Sequence, residues 1–313
     1  MFSFLKAKRT VPGLTGVGVH DGGVSIVRVV REPGRSPRVT VCDYRAWNGD
    51  AGERAKVLAR AATDFDLKNA RCTTAIEAND YALLLTEAPD VPVEELRAAV
   101  RWRIKDLIDF HVDDATLDVF DVTTTNAPAK SRSMYAVAAR NAAIQRRVDL
   151  FDGAGINLDI IDIPEMAQRN LASILEEDVR GMVMLSFGDQ NGLITITRQG
   201  ELFLSRRIEI GLEALKQADD RAPYFDQIVL EVQRSLDYFD SHFRQAHIDN
   251  LVLAPPADDV PGITEYFNEN LNLKSKVANL EQALQFDVDA TPILRGQGLI
   301  ALGAALRQEE KVL

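Results

Sequence analysis

The sequence predicts an α/β protein of two lobes, and three observations lead to this fold class. Strand-like and helix-like runs alternate along most of the chain, which is typical of α/β folds. An apolar run, a short Gly/Asp turn and a β-branched run at residues 16–30 recur at residues 181–210, which indicates an internal repeat of two related halves. The chain has 313 residues, more than one hydrophobic core usually holds, so two domains are the default.

The first strand–turn–strand reads VGVHDGGVSIVRV over residues 17–29. Asp-Gly between two alternating apolar runs predicts a β-hairpin, because glycine adopts positive φ without strain and aspartate tolerates it. Consecutive backbone amides at such a turn can also hold a phosphate group. The local pattern leaves both uses open.

Strand-like runs RVTVCDYRAW, CTTAIEAN and YALLLTEAP follow, with a helix-like run, ERAKVLARAATDF, among them. The next helix is predicted from Pro92, which suits a first turn, and from Glu94 and Glu95, which favour the positive end of the helix dipole. Its apolar residues recur at helical spacing and form the expected buried stripe: Leu96, Val100, Ile104, Leu107 and Ile108. Trp102 falls off that stripe, so it either packs a second neighbour or is partly exposed as a contact surface.

The alternation continues to the C-terminus. ATLDVFDVTTT and MYAVAAR predict two strands around a polar turn, NAPAKSRS. NAAIQRRVDLFDGAG predicts a helix, INLDIIDIP a buried strand and PEMAQRNLASILEEDV an amphipathic helix. After the second hairpin pattern, FDQIVLEVQRSLDYFDSHF predicts a long helix, IDNLVLAPP a strand and VPGITEYFNENL a loop opening a helix. The tail PILRGQGLIALGAALR predicts one glycine-spaced apolar helix that must be buried.

The composition argues against several classes of protein. The net charge is −11 and the pI is about 5, so the surface would repel nucleic-acid phosphates. No apolar run approaches the ~18 residues of a membrane-spanning helix. Two cysteines without a CxxC motif fit a reducing compartment, and four scattered histidines predict no metal site. The N-terminal MFSFLKAKR is either a frayed start or a weak membrane-surface anchor.

Three longer segments carry a resemblance to a known family. They are PDVPVEELRAAVRWRIKDLIDFHVDDATLDVFDV, AVAARNAAIQRRVDLFDGAGINLDIIDIPEMAQRNL and EVQRSLDYFDSHFRQAHIDNLVL. In this order, and with the doubled hairpin, they resemble the PilM family, the actin-like proteins of type IV pilus assembly, and most closely its MshI branch of mannose-sensitive (MSHA) pilus biogenesis. The positions that match the family pattern in the first segment are Pro92, Glu94, Glu95, Leu96, Arg101, Trp102, Phe110, Leu117 and Asp118.

The resemblance implies an actin-like (RNase H-like) α/β fold of two lobes with an inserted small α+β subdomain. Lobe I would span residues 1–179, with the insertion at about 86–135, and lobe II would span residues 180–289. A C-terminal helix at 290–313 would pack back on lobe I. Such a fold holds ATP and Mg²⁺ between its lobes, with the phosphates at the two hairpins.

The implied nucleotide site departs from the family pattern at three places. In the first hairpin, Gly18 stands where a Mg²⁺-facing aspartate is expected, His20 stands for a turn glycine and Ser25 for a lysine. In the second hairpin, Ser186 stands where the other aspartate is expected. At the adenosine turn, small glycine-rich residues are replaced by Ala254, Pro255 and Pro256. Proline has a locked φ and offers no amide to a ligand.

We therefore interpret the cleft as a degenerate nucleotide site with no catalytic residue and no metal site. The vestigial nucleotide-binding candidates are Asp21, Gly22, Gly23, Gly188 and Asp189. Without a metal ion, the two carboxylates would repel a triphosphate. We expect that the protein is not an enzyme and requires no cofactor, with binding of ATP and Mg²⁺ as the alternative.

The resemblance implies a cytoplasmic scaffold, peripherally associated with the inner membrane. Its expected partner is the cytoplasmic N-terminal tail of a PilN-like single-pass membrane protein, with Arg101 and Trp102 as candidate contact residues. The pilus assembly ATPase and platform proteins are further candidate partners, and no nucleic acid is expected. One alternative is a nucleotide-responsive ATP-binding protein. A sugar or acid kinase would need a catalytic carboxylate beside the acceptor hydroxyl, and no convincing motif for one is present.

Overall fold

The computed structural model describes residues 11–47, 50–122, 133–243 and 245–308. The segment MFSFLKAKR lies outside the described residues, as does the predicted turn NAPAKSRS except for its last residue. The described residues form three β-sheets with helices on their faces, which confirms the predicted α/β class.

The first sheet contains β1 Leu14–His20, β2 Gly23–Val30, β3 Arg38–Ala46, β4 Arg71–Ala75, β8 Leu158–Asp162 and β14 Gln285–Phe286. Their order is β14-β3-β2-β1-β4-β8. β1 and β2 pair antiparallel, with His20 opposite Gly23, so the predicted hairpin forms. β1 pairs parallel with β4, and β14 pairs parallel with β3, although β14 falls inside the range 180–289 predicted for lobe II.

The second sheet repeats this topology. It contains β9 Met182–Phe187, β10 Gly192–Arg198, β11 Glu201–Ile208, β12 Asn250–Leu253 and β13 Lys274–Val277, in the order β11-β10-β9-β12-β13. β9 pairs antiparallel with β10 and parallel with β12, as β1 does with β2 and β4. The predicted internal repeat is therefore confirmed as a repeat of strand order and direction.

The described helices are α1 Ala51–Asp64, α2 Val93–Ile104, α3 Asn141–Gly153, α4 Pro164–Ala172, α5 Leu212–Gln217, α6 Ala222–Phe243, α7 Ile263–Asn270, α8 Leu280–Ala283, α9 Thr291–Leu294 and α10 Leu299–Ala305. α1 begins after Asp50, whose side chain accepts a hydrogen bond from the amide of Gly52 as an N-cap. α6 buries Ile228, Val232 and Phe239, as its periodicity predicts. No helix in the described part of the chain combines the length and apolarity needed to cross a bilayer.

The third sheet contains β5 Tyr81–Glu87, β6 Ala115–Val122 and β7 Ser133–Arg140, all antiparallel, in the order β5-β7-β6. α2 covers one face and buries Val100 and Ile104 there. The other face meets lobe II, where Tyr135 Oη donates a 3.0 Å hydrogen bond to the carbonyl oxygen of Phe203. Together with α2 this sheet forms the inserted subdomain, residues 81–140, which is wider than the predicted range.

Three predicted elements differ from the structure. α2 ends at Ile104, so the predicted stripe does not continue, and Leu107 is 64% exposed. The INLDIIDIP run is an edge strand, β8, with a mostly half-buried pattern rather than a buried strand. The predicted single tail helix is two short helices, α9 and α10, because Gly296 adopts a left-handed φ of +76° between them.

α10 packs against lobe I so closely that only glycine fits at the contacts. A side-chain carbon on Gly16 of β1 would lie 1.9 Å from the carbonyl oxygen of Ala301. One on Gly303 of α10 would lie 2.1 Å from the carbonyl oxygen of Ala167 in α4. The side chain of Asn170 donates a 2.9 Å hydrogen bond to the carbonyl oxygen of Gly303 and holds α4 against α10. This backbone contact positions the C-terminal segment beside the first hairpin.

A polar triad around the buried carboxylate of Glu165 joins the inserted subdomain to both lobes. Tyr81 of β5 donates to the carboxylate of Glu165 in α4, and Arg207 of β11 donates both to Tyr81 Oη and, at 2.9 Å, to Glu165. Arg207 also donates to the carbonyl oxygen of Ala78 at 2.6 Å. Burial and the neighbouring Glu165 carboxylate raise the pKa of Tyr81 well above its ordinary range, so the phenol keeps its proton.

Gly303→Ala should lower the free energy of unfolding by about 2 to 3 kcal/mol, because the new methyl group collides with backbone that cannot move aside alone. The matched control is Gly153→Ala, since no heavy atom lies within 4 Å of a side-chain carbon built there. Its stability should change by less than about 1 kcal/mol. Chemical denaturation followed by circular dichroism measures both variants, and equal midpoints would contradict the close packing of α10.

Arg207→Met should destabilise the protein by about 2 to 3 kcal/mol, because it leaves the Glu165 carboxylate, 2% exposed, without its cation. The loss is below that of a fully buried pair because the Arg207 side chain is 36% exposed. Arg206→Met is the control: its partner Glu231 is 19% exposed and keeps a second cation, Arg234 at 2.7 Å, so the loss should be about 0 to 1 kcal/mol. Thermal denaturation measures both variants. Equal losses of stability would show that the triad contributes no more than the Arg206–Glu231 pair.

Candidate functional site

The tips of the two hairpins face the same cleft. The first hairpin turns at Asp21 and Gly22, and the second turns at residues 188–191, where the amide of Gly188 donates to the carbonyl oxygen of Asn191 at 2.8 Å. Asp189 is close enough to His20 for its charge to act on the imidazole. The predicted candidates are thus brought to the two sides of one cleft.

Residues of β3 and the following turn hold the first hairpin tip. Trp47 Nε1 donates a 2.6 Å hydrogen bond to the carbonyl oxygen of Asp21, and Tyr44 Oη donates to that of Gly22 at 3.1 Å. A side-chain carbon on Gly23 would lie 2.4 Å from the carbonyl oxygen of Arg45, so this glycine is required by packing. The carbonyl oxygens of Asp21 and Gly22 therefore accept hydrogen bonds from within the protein.

His20 fills the position beside the turn with an aromatic ring. Its imidazole stacks on Tyr44, with 5.6 Å between ring centroids and an interplanar angle of 5°. Burial lowers the pKa of His20, while the carboxylates of Asp189 and Asp21 act in the opposite direction. Because the net shift is downward from an ordinary value near 6.5, the imidazole is neutral at pH 7 and adds no positive charge to the cleft.

Ser25 ties the first hairpin to the C-terminal segment. Its hydroxyl donates a 2.6 Å hydrogen bond to the carbonyl oxygen of Gln297 and lies 3.1 Å from His20 Nε2. Gly18 is the partner of Ser25 in the β-ladder. A side-chain carbon on Gly18 would lie 3.5 Å from Ser25 Oγ and 3.5 Å from Ala301 Cβ, which is ordinary van der Waals contact. Ser25, where a lysine is expected, is thus used in internal contacts, and Gly18, where an aspartate is expected, offers no side chain to a ligand.

Ser186 of the second hairpin is also used internally. It donates a short hydrogen bond to Oε1 of Gln168, a buried residue of α4. Gln168 Nε2 in turn donates to the carbonyl oxygens of Met184 and Leu193 at 3.0 and 3.2 Å, and to Thr195 Oγ1 at 2.9 Å. The sequence analysis missed Gln168, because a glutamine within an amphipathic helix gives no signal of its own.

The carbonyl oxygens of the second hairpin tip meet the start of α5. The amides of Leu212 and Glu213 donate to the carbonyl oxygens of Gly188 and Asp189 at 2.9 and 3.0 Å. Gly211 permits this approach, since a side-chain carbon there would lie 2.2 Å from the Asp189 carbonyl oxygen. The side chain of Asp189 is exposed.

The side chain of Asp21 is fully exposed, so it projects into solvent. Its nearest cation is Arg54, with 3.8 Å between Arg54 Nη2 and Asp21 Oδ1. Among the described residues, no cluster of three or more His, Cys, Asp or Glu side chains could hold a metal ion. The hairpin pair therefore presents two separate exposed carboxylates, Asp21 and Asp189.

The turn that begins at Ala254 and contains Pro255 and Pro256 is packed against the C-terminal segment. A side-chain carbon on Gly296 would lie 2.7 Å from the amide nitrogen of Ala257 and 2.8 Å from the carbonyl oxygen of Pro255. The next residue, Gln297, accepts the hydrogen bond from Ser25 of the first hairpin. Residues 295–298, here called the C-terminal strap, therefore join the proline turn of lobe II to the hairpin of lobe I.

The two candidate contact residues of α2 have different surroundings. Arg101 donates to the carbonyl oxygens of Val112 and Ala115 at 2.6 and 3.2 Å, so its guanidinium holds the turn that follows α2. Trp102 is 71% exposed, and the ammonium nitrogen of Lys105 lies 5.2 Å from its ring centroid. Of the two, Trp102 alone is free to meet a partner.

Comparison with known proteins reveals the family and similar folds. The family model for type IV pilus assembly protein PilM matches residues 86–220 and 216–309. Comparison with curated sequences gives no match. The structure of a PilM-PilN type IV pilus biogenesis complex superposes with a TM-score of 0.75 at 20% identity, and the match covers 94% of this chain and 98% of that chain.

A more distant match has the same fold. The cytoplasmic domain of EpsL, an inner-membrane component of the type II secretion system of Vibrio cholerae, gives a TM-score of 0.50 at 10% identity over 94% of this chain and 98% of that chain. These likenesses confirm the predicted actin-like fold. Since the PilM model covers well over half of the sequence, the chain belongs to the PilM family of type IV pilus assembly proteins.

Proposed function

We propose that this protein is a cytoplasmic scaffold of an MSHA-type pilus assembly platform. It docks the cytoplasmic tail of a PilN-like single-pass protein and so associates peripherally with the inner membrane. The observation that carries the docking is the apolar outer edge of β5 in the inserted subdomain, which no other described strand pairs with. The same proposal holds that the nucleotide cleft is degenerate and that the protein is not an enzyme.

The internal contacts of the cleft support the absence of nucleotide turnover. Ser25 and Ser186 stand where the family pattern has a lysine and an aspartate, and both hydroxyls bond to the protein itself. The C-terminal strap lies against the turn that would meet adenosine. A nucleotide would have to displace these contacts without an aspartate pair to organise Mg²⁺.

β5 offers a strand edge to an extended peptide. It is the terminal strand of its sheet and pairs only with β7 among the described strands. Its sequence YALLLTE is apolar over most of its length, and five of its seven residues are half-buried. Unpaired backbone groups beside apolar side chains are what strand addition uses, with the backbone providing affinity and alternate side chains specificity.

The chemistry of the edge defines the peptide. Leu83 and Leu85 face the core of lobe II, and Leu84 faces the side covered by α2. An added strand would therefore meet apolar surface on both of its faces, so we expect an extended tail with apolar residues at successive positions. The solved relative in which PilM is complexed with PilN supports a tail of this origin.

A nucleotide-responsive protein is the second candidate. Asp21 and Asp189 persist at the two hairpin tips and could meet a metal-bound nucleotide if the strands shifted register. The two candidates differ in one measurable property, the affinity for Mg-ATP. The assembly ATPase and other platform proteins remain candidate partners under either function.

Mg-ATP should leave the thermal midpoint unchanged. A nucleotide present at a hundredfold excess over its Kd would add about 2.7 kcal/mol and raise the midpoint by about 5 °C. Differential scanning fluorimetry with an ATP-binding actin-like protein as positive control measures this. A rise that is abolished by Asp21→Asn or Asp189→Asn would favour the second candidate and overturn the degenerate site.

A synthetic peptide with the N-terminal tail of the cognate PilN-like protein should bind the wild-type chain, and Thr86→Lys should weaken binding at least tenfold, because a charged edge opposes strand addition. Thr116→Lys, the same change on the β6 edge, should leave binding unchanged. Fluorescence anisotropy measures both. If the wild-type chain does not bind the tail, the docking function is wrong. If the two variants bind it with equal affinity, only the assignment of the binding site to the β5 edge is wrong.

A further inference from the structure

Lobe I carries a group of exposed basic side chains, here called the basic face, that the proposed function does not use. Its residues come from α1 and from the turn that joins α1 to β4: Lys56, Arg60, Lys68 and Arg71. Arg71 begins β4 and is the ladder partner of Leu14, the first residue of β1. Because the hairpin tip follows the other end of β1, the part of the basic face around Arg71 lies away from the cleft.

The charges of the basic face are not neutralised from within the described part of the chain. None of its four residues forms an ion pair there, whereas Arg45 and Arg97 each pair with an aspartate. Lys56 and Arg60 are one helical turn apart, on the side of α1 opposite the fully buried Leu58. In a protein whose net charge is −11, an unpaired basic group of this kind indicates an anionic partner.

The acidic residues that border the basic face are engaged elsewhere. Asp64, on the same side of α1, pairs with Arg45 at 2.7 Å. The carboxylates of Asp66 and Asp159 accept hydrogen bonds from a neighbouring side chain and a backbone amide. These residues lower the positive charge at the border without pairing with any of the four cations.

The turn that carries Lys68 and Arg71 is held in place by internal contacts. Arg28 of β2 donates a 2.6 Å hydrogen bond to the carbonyl oxygen of Phe65, where the turn begins. Leu67, within the turn, is fully buried in the core of lobe I. The two cations are therefore presented by a fixed backbone, and little order has to be gained when they meet a partner.

The chain enters lobe I beside the basic face. Val11 packs against the core cluster that contains Leu67 and Ala70, the buried residues of the same turn. Residues 1–10 precede Val11 and can extend at most about 35 Å from it. They contain no acidic residue, and they include Phe2, Phe4, Leu5, Lys6, Lys8 and Arg9. The segment MFSFLKAKR therefore joins the fold at the edge of the basic face and adds apolar side chains to its charges.

This combination of side chains fits a membrane surface with anionic lipids. Lysine and arginine are attracted to anionic headgroups, and phenylalanine and leucine enter the boundary between headgroups and acyl chains. A nucleic acid offers phosphates but no apolar interior for the phenylalanines. Acidic residues elsewhere on the protein weaken the attraction little where they lie more than a Debye length, about 10 Å, from the lipid.

We propose that the basic face of lobe I binds anionic lipid headgroups directly, while Phe2 and Phe4 enter the headgroup boundary of the same membrane. Each contribution is weak by itself, and stable attachment to a membrane takes two such signals. This contact goes beyond the docking of a PilN-like tail, because it requires no other protein. It would hold the chain at the membrane before the tail is bound.

The test is co-sedimentation of the full chain with vesicles in the absence of any PilN-like protein. The wild type should bind vesicles containing about one third phosphatidylglycerol, should not bind vesicles of phosphatidylcholine alone, and should be released by high salt. Each basic residue near an anionic surface strengthens binding about fivefold, so Lys56→Gln combined with Arg60→Gln should weaken it about twentyfold.

The matched control combines Lys216→Gln with Arg234→Gln, which changes the net charge equally. Both residues are exposed on lobe II and already pair with acidic residues, so binding to the vesicles should be unchanged. Thermal denaturation confirms that each variant is folded.

Phe2→Ser combined with Phe4→Ser tests the apolar contribution and should weaken binding to the phosphatidylglycerol vesicles at least fivefold. Fluorescence anisotropy with duplex DNA, in the same buffer, should show no binding. The proposal is overturned by equal binding to both kinds of vesicle, by binding of DNA as tight as that of the vesicles, or by a glutamine or serine double variant of the lipid-binding residues that binds like the wild type. Since no tail is present in these experiments, their failure would leave the docking function intact.

Discussion

The backbone contact between α10 and lobe I is the constraint on which the rest of the structure depends. Gly16 and Gly303 remove the side chains that would separate α10 from β1 and α4. Because α10 is held at that distance, the preceding strap must pass between the first hairpin and the proline turn. The strap thereby joins the first hairpin of lobe I to the proline turn of lobe II.

Under the proposed function, the cleft is a ligand site whose side chains have been replaced by internal contacts without loss of the fold. Ser25 and Ser186 have short side chains, so each hydroxyl forms its hydrogen bond within the protein. Ser25 donates to the strap, and Ser186 donates to Gln168. Each bond satisfies a polar group that would otherwise be buried alone, so the hairpins retain their shape.

The inserted subdomain is coupled to the lobes by the triad of Tyr81, Glu165 and Arg207. Tyr81 is the first residue of β5, so the strand that we propose as the docking edge begins beside the ion pair of Glu165 and Arg207, which links the two lobes. A peptide added to β5 would extend a sheet whose other face rests on lobe II through Tyr135. On this view the docking edge is fixed relative to the whole fold, as a scaffold requires.

The sequence by itself determined the α/β class, the doubled hairpin and the family resemblance, because these follow from alternating hydrophobicity and from turn residues close together in the chain. It also placed Trp102 off the buried stripe of α2. Tertiary structure alone decided that Leu107 is exposed, that Arg101 bonds to backbone and that the tail breaks into α9 and α10. These features depend on the space that neighbouring elements leave or on contacts between residues distant in sequence, as in the hydrogen bond of Ser25 to Gln297. Local periodicity contains no information about either.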